Sequence, residues 1–211
     1  MLTNDVAQLT AMVSQLGGLV ESRYRSTLEA FQARDSEQAV AIRMGDKALN
    51  AMQREVDRYA LQLLALQHPY ALELRAVIVG VRIAGLLEQI GDLLVGIARR
   101  IESISLHPKL SQAIAIPNLA IAVQANLTQA LDAFSHLRGD EAQRLLDADD
   151  EIDTQYHAIM KQIFAKMPED ASLLPGYVYL IQIAKNYENI GDSVVHIAEQ
   201  TVFLIDGRYP A

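Results

Sequence analysis

The stretch EQIGD at residues 88–92 places a glycine between two acids that lie four residues apart, inside a long apolar segment of helical periodicity. A related stretch, ENIGD, follows at residues 188–192. Glycine in a helix interior costs about 1 kcal/mol relative to alanine, and like charges four residues apart add a smaller penalty. Because both unfavourable features occur twice, we interpret the two stretches as parts of functional sites.

The acids of each stretch are spaced to form a ligand surface. Residues four apart on a helix are separated by about 40° around the axis and about 6 Å along it, so Glu88 and Asp92 share one face. The apolar residues lie roughly opposite, at Leu87, Ile90, Leu94, Ile97 and Ile101. Facing pairs of carboxylates suit hard or borderline cations, such as Mg²⁺, Mn²⁺ or iron. The glycine would let a neighbouring helix, an ion or its waters approach the backbone.

A second polar pair precedes each stretch, since GDKALN at residues 45–50 aligns with DDEID at 149–153. The sequence therefore predicts two metal sites with four ligands each: Asp46, Asn50, Glu88 and Asp92 in the first half, and Asp149, Asp153, Glu188 and Asp192 in the second. Because Asn50 supplies only a neutral oxygen, we expect the first site to be weaker. His157 and His196 each follow an acid by one helical turn and are further candidate ligands for a borderline metal. We expect the ion to be iron, manganese, magnesium or zinc.

The elements that must position these ligands are helices, because glycine and proline separate long segments of helical periodicity and strand-like alternation is nowhere sustained. The predicted helices end near Arg34, Gln67, Leu106, Leu137, Lys166 and Gly207. Asp35 or Ser36 is expected to cap the second helix, with Gln38 in capping-box position. Pro175 fits the first turn of the last helix.

The two halves of the chain form an internal repeat, because aligning Glu88 with Glu188 brings LEQIGDLLVGIA into register with YENIGDSVVHIA. We predict an all-α fold of two tandem three-helix bundles, spanning residues 1–107 and 112–211. Antiparallel neighbouring helices would bring the two polar pairs of each half together.

Composition narrows the function classes. The 211 residues are 51% hydrophobic and carry a formal charge of −8, which would repel nucleic acid and anionic lipid. Without cysteine the chain has no disulfides, thiolate metal sites or cysteine nucleophiles. The start, MLTNDVAQLT, lacks the pattern of a secretory signal, and the uncharged run at 110–131 contains too many polar residues to span a membrane. No glycine-rich phosphate loop, serine nucleophile elbow or Glu-x-x-His pair is present.

The order and spacing of QHPYALELR, LLEQIGD, DDEID and YENIGDSVVHIAEQ, with DG near the end of the chain, resemble the PhoU family of phosphate-uptake regulators over nearly the whole sequence. The resemblance implies two three-helix bundles with pseudo-twofold symmetry, often a homodimer, and metal or multinuclear iron clusters on the motif acids. It also implies a cytoplasmic, non-enzymatic negative regulator. Such a regulator links the ATPase of the phosphate ABC transporter to the phosphate-sensing histidine kinase, and meets the membrane only through these partners.

The sequence departs from the family pattern at several positions. Gln89 and Asn189 stand where the family usually has arginine, and Glu73 replaces the usual aspartate before LR. Glu73 and Arg75 are candidates for partner contact or for orienting other residues, although a simple helix start explains them as well. These departures bear on any partner contact made by the missing arginines.

Three functional hypotheses use the same acids. In the first, the acids bind a metal that organises a regulator of phosphate uptake. In the second, they belong to a metal-storage protein or a metal-dependent hydrolytic enzyme. In the third, the protein is a divergent helical adaptor and its acids contact the basic surface of a partner. The sequence alone does not separate the regulator from the adaptor.

Overall fold

The computed structural model describes residues 4–106, 110, 114–147 and 149–210, except the side chains of Asp46 and Asp149. Within these ranges the secondary structure is helical, without strands, and this confirms the all-α prediction. The α-helices are α1 (Asn4–Ala33), α2 (Ser36–Met44), α3 (Asp46–Gln67), α4 (Leu72–Ile104), α5 (Ile116–Ser135), α6 (Gly139–Leu146), α7 (Asp149–Lys166) and α8 (Leu174–Asp206). Two 3-10 turns, Met167–Glu169 and Ala171–Leu173, lead into α8.

The second helix predicted in each half is divided in two. In the first half α2 ends at Gly45, whose N–H donates to the carbonyl of Ala41 at 3.1 Å, and α3 begins at the next residue. The Arg23 guanidinium of α1 donates to the Gly45 carbonyl at 2.6 Å, which fixes the bend. The second half divides between α6 and α7. Each half is therefore a three-helix bundle whose middle helix is bent.

The helix ends follow the sequence signals. Asp35 caps α2, since its carboxylate accepts a hydrogen bond from the Gln38 N–H at 2.9 Å. Pro175 lies in the first turn of α8. Gly207 ends this helix with a left-handed φ of 74°, and its N–H donates to the carbonyl of Phe203 at 2.9 Å. These three predictions are confirmed.

The internal repeat is visible in the backbone. Arg34 and Leu137, which follow α1 and α5, have left-handed φ values of 52° and 54°. In each case the next residue donates its N–H to the carbonyl five positions back, at 2.9 Å and 2.8 Å. The two halves therefore turn in the same way after their first helix, and the turns are 103 residues apart.

The two bundles share one hydrophobic core. Helices α4 and α8 run antiparallel at the centre, where Asn186 donates to the Leu93 carbonyl at 3.1 Å and Arg100 donates to the Gln182 amide oxygen at 2.8 Å. Beside them α1 packs on α5, and the Tyr24 hydroxyl donates to the carbonyl of Ala120 at 2.7 Å. The predicted apolar stripe of α4 is fully buried at Leu87, Ile90, Leu94, Ile97 and Ile101.

Candidate functional site

The motif glycines allow a neighbouring helix to pack closely. A Cβ atom placed on Gly91 would lie 3.0 Å from the side chain of Leu49 on α3. On Gly191 it would lie 3.1 Å from Ile152 on α7. These separations are too short for an unstrained carbon–carbon contact. Of the three uses expected for the glycines, the structure shows the approach of a helix, at equivalent places in both halves.

This packing brings the two polar pairs of each half to the same level. Leu49 precedes Asn50, and Ile152 precedes Asp153, so both polar residues lie on the helix that packs against the motif glycine. Both are half-buried, whereas Asp92 is exposed. The side chains of the remaining predicted ligands on these helices, Asp46 and Asp149, lie outside the described part of the structure.

The second motif contains its own cation. The Lys185 ammonium, one turn before Glu188 on α8, donates a hydrogen bond to the Glu188 carboxylate. The same ammonium lies 5.5 Å from the ring centroid of Tyr156 on α7, in cation–π geometry. Glu188 is only 8% exposed. A buried carboxylate needs a partner, and Lys185 provides one from the same helix.

Burial alone would lower the pKa of Lys185. The hydrogen bond and the negative charge of Glu188, with contributions from Tyr156 and Asp192, raise this pKa above its usual value. The lysine is therefore held in its charged form at neutral pH.

The first motif has a different arrangement. Gly85 stands at the repeat position of Lys185, and a Cβ atom placed on it would meet no atom within 4 Å. The basic side chain near this motif is Arg23 of α1, whose Nη1 atom lies 3.7 Å from a Cβ position on Gly91. Its repeat counterpart on α5 is Asn126. Each half thus places a basic side chain near its motif, but from a different helix.

The described ligands fit a metal ion only in part. Among the described residues, no three His, Asp or Glu side chains come close enough together to hold a metal. His157 is exposed, with its Nδ1 atom 2.7 Å from the carbonyl oxygen of Asp153 in its own helix, and His196 is also exposed. The second motif fits poorly because Lys185 already binds Glu188. Both metal sites remain predictions, and each would need the undescribed Asp46 or Asp149 side chain.

The sequence did not reveal a groove between α4 and α8. It has a volume of about 690 Å³ and is lined by Arg82, Gly85, Leu86, Gln89, Asn189, Asp192, Ser193, His196 and Gln200. The antiparallel packing brings together Gln89 and Asn189, two of the positions that depart from the expected family pattern. This shared departure was the available sequence signal, but only the helix packing shows that the two residues line one surface.

Arg75 has a role within the chain. Its Nε atom donates to the carbonyl of Leu204 at 3.1 Å, and its guanidinium lies against Gly207, with Nη1 3.2 Å from a Cβ position there. It therefore joins the start of α4 to the end of α8. Glu73 is half-buried in the first turn of α4, where a negative charge is favoured by the helix dipole.

A tyrosine pair lies at the junction of the two halves. Tyr24 and Tyr187 are fully buried, and their ring centroids are 5.7 Å apart. Tyr24 is hydrogen-bonded to Ala120, whereas the Tyr187 hydroxyl has no hydrogen-bond partner among the described residues. Burial raises the pKa of both tyrosines, and the charge of Tyr187 adds to this effect at Tyr24.

Across the described residues, no helix combines the length and apolar character needed to cross a membrane. The fold and the two glycine-centred acid motifs define a class of duplicated helical-bundle proteins. Residues 13–101 and 116–201 each match the PhoU domain. The chain belongs to the PhoU family, with the domain present twice.

The similarity extends over nearly the whole chain. The "Phosphate-specific transport system accessory protein PhoU homolog" of Caulobacter vibrioides is 32% identical over 205 residues, covering 97% of this chain and 89% of the relative. The "Phosphate-specific transport system accessory protein PhoU" of Serratia marcescens is 28% identical, covering 97% and 84%. The crystal structure of PhoU from Pseudomonas aeruginosa superposes with a TM-score of 0.92 at 27% identity, covering 97% of this chain and 98% of that protein. The crystal structure of the phosphate transport system regulatory protein PhoU from Streptococcus pneumoniae superposes with a TM-score of 0.90 at 27% identity, covering 98% of this chain and 97% of that protein.

Proposed function

We propose that this chain is a cytoplasmic, non-enzymatic accessory protein of a phosphate transport system that represses the phosphate-starvation response. In this role it links the ATPase subunit of the phosphate ABC transporter to the phosphate-sensing histidine kinase, as a homodimer. The observation that carries the proposal is the match of both halves to the PhoU domain, together with relatives that are named as accessory proteins of phosphate transport.

The shape of the molecule supports an adaptor role. The motif helices of both halves, α4 and α8, lie side by side and form one open groove, so a change in either motif can alter a surface built by both. The groove is lined largely by amide and charged side chains. Such a surface suits contact with a protein better than enclosure of a small apolar molecule.

Metal binding by the acids is part of the proposal. The first site would use Asp46, Asn50, Glu88 and Asp92, with iron, manganese, magnesium or zinc as the ion. The second site would use Asp149, Asp153, Glu188 and Asp192 once Lys185 has left Glu188. His157 and His196 would join the second set, since they line the same surface depressions as Asp153 and Asp192, respectively. Among the described residues, neither histidine belongs to a group of three potential ligands. A bound ion would hold α3 to α4, or α7 to α8, and so fix the face offered to partners.

The test of the regulatory role is deletion of the gene in the organism that encodes it, with a reporter on a phosphate-starvation promoter. We expect the reporter to be active in phosphate-rich medium and to be repressed again by the wild-type gene. A tagged wild-type protein should also retain the transporter ATPase in pull-downs. Unchanged repression in the deletion strain would overturn the proposed function.

A second candidate is a helical adaptor of the same family with another partner. It is favoured by Gln89 and Asn189, since both replace the usual arginine and both line the α4–α8 groove. The deletion strain is complemented either with the wild-type gene or with the Gln89→Arg, Asn189→Arg variant. Repression restored by the wild-type gene supports the phosphate-response role without these arginines, whereas repression restored only by the variant favours the adaptor with another partner.

A further inference from the structure

The two acid motifs differ in three coupled positions. Where the second half has Lys185 and Tyr156, the repeat places Gly85 and Gln53 in the first half. Gln53 has no aromatic ring for a cation to contact, and its side-chain amide donates a hydrogen bond to the Asp57 carboxylate at 2.6 Å. Asp153 in the second half corresponds to Asn50 in the first. The second half therefore has a lysine, an aromatic ring and an acid at three positions where the first half has none of them.

In the second motif the additional lysine offsets the additional carboxylate. The first motif has three carboxylates, and the second has four carboxylates and the lysine, so the two motifs carry the same net charge when Arg23 of α1 is not counted. Tyr156 is half-buried against the core, and it contacts the ammonium that binds the buried Glu188. Lys185 is therefore held from two sides, by a carboxylate and by an aromatic face.

An ammonium ion in this position opposes a metal in two ways. It occupies an oxygen of Glu188 that would otherwise be a ligand, and it repels a second cation. Repulsion between a single and a double positive charge about 5 Å apart lowers a binding constant about tenfold even in bulk water, and more at a half-buried site.

We propose that Lys185 is a built-in counter-ion that closes the second motif to divalent cations. It therefore weakens metal binding at the motif that has more carboxylates. This inference rests on the proposed use of the acids as metal ligands, and it opposes the order of affinity that the ligand count alone predicts. The second motif has more carboxylates, but its lysine substitutes for the metal. An open second motif would require Lys185 to leave Glu188.

The test is Mn²⁺ binding to the full-length chain, counted by the loss of the free-ion electron paramagnetic resonance signal. Lys185→Met removes the charge and keeps most of the aliphatic stem. We expect it to bind one Mn²⁺ at least about tenfold more tightly than the wild type does at the second motif. Lys185→Arg keeps the charge and should behave like the wild type. Lys166→Met removes a charge from the last turn of α7, about 20 Å along the helix from Asp153, and should leave binding unchanged.

A Glu188→Gln change combined with Lys185→Met assigns the gained site, because it should abolish the gain. Lys185→Gln repeats the measurement if the methionine variant does not fold, as judged by circular dichroism. Equal Mn²⁺ binding by the wild type and both neutral variants would overturn the inference, as would a gain that survives Glu188→Gln. Either result leaves the reporter test of the regulatory role unaffected, so the two proposals fail separately.

Discussion

The two halves of the molecule keep the same packing and differ in their charges. Leu49 against Gly91 and Ile152 against Gly191 are equivalent contacts, at 3.0 Å and 3.1 Å from a Cβ position. The cations are not equivalent, because the first half uses Arg23 of α1 and the second uses Lys185 of α8. A buried contact at the helix crossing allows little change in shape, whereas a charge can be supplied by any helix that reaches the motif.

The difference shows that a repeated motif need not keep the same ionic surroundings. The acids of both halves follow the same spacing, yet Glu188 is buried and bound to a lysine whereas its counterpart Glu88 is half-buried. The glycine explains the shared geometry and the neighbouring side chains decide what the acids do.

The largest effect is expected from filling the space at the motif glycines. Gly91→Leu and Gly191→Leu should each lower the free energy of unfolding by about 1–3 kcal/mol, because the added side chain collides with α3 or α7. Urea denaturation followed by circular dichroism measures this change. Ile152→Ala should recover part of the loss in Gly191→Leu but not in Gly91→Leu. Equal recovery in both would show that the two contacts are not separate.

The buried tyrosines are expected to respond in opposite directions to removal of the hydroxyl. Tyr24→Phe loses the hydrogen bond to Ala120 and should destabilise the protein by about 1 kcal/mol. Tyr187→Phe removes a hydroxyl without a partner among the described residues, so its unfolding free energy should equal or exceed that of the wild type. Urea denaturation of the two variants side by side measures the difference. A larger loss for Tyr187→Phe would contradict the described hydrogen bonding.

A smaller gain is expected at Gly85, the first-half counterpart of Lys185. Because a Cβ atom there meets nothing within 4 Å, Gly85→Ala should stabilise α4 by about 0.5–1 kcal/mol through its higher helix propensity. Thermal unfolding measures the change. Gly91→Ala is the matched control on the same helix and should gain less or lose stability, since Leu49 lies in the way.

The smallest effect is the expected decrease in the free energy of unfolding in mild alkali, where the buried tyrosines begin to matter. Tyr24 and Tyr187 have a raised pKa in the folded state, so the folded chain holds their protons after the unfolded chain has begun to lose them. Their contribution to stability is complete below the unfolded pKa of about 10 and falls as pH rises above it. At pH 10 the loss is about 0.4 kcal/mol for each tyrosine. Between pH 8 and pH 10, the free energy of unfolding should decline less steeply with pH for Tyr187→Phe than for the wild type. An equal slope would contradict the contribution of Tyr187 to this decline.

Much of the fold could be predicted from the sequence because its signals are local. Proline, glycine and capping residues set the helix ends, and the repeated IGD stretches revealed the duplication. The bend at Gly45 could not be predicted, because a glycine within a helical pattern does not decide between an interior position and a break. The bend also depends on Arg23, which reaches Gly45 only after α1 has packed.

The position of the candidate site could be predicted from the sequence, but the burial and ion pairing of its acids could not. The spacing of Glu188 and Asp192 marked the motif, and the i, i+3 spacing of Lys185 and Glu188 was visible in the sequence. The burial of Glu188 and the ring of Tyr156 come from the packing of α7 on α8, which spacing on one helix does not report. Tyr156 of α7 and Glu188 of α8 together make the lysine a fixed part of the motif.

The most direct test of the difference between the halves is an anomalous difference map from crystals soaked in Mn²⁺, for the wild type and for Lys185→Met. We expect no manganese peak at Glu188 and Asp192 in the wild type, and a peak there in the variant. A peak beside these acids in the wild type, with Lys185 in place, would contradict this expectation.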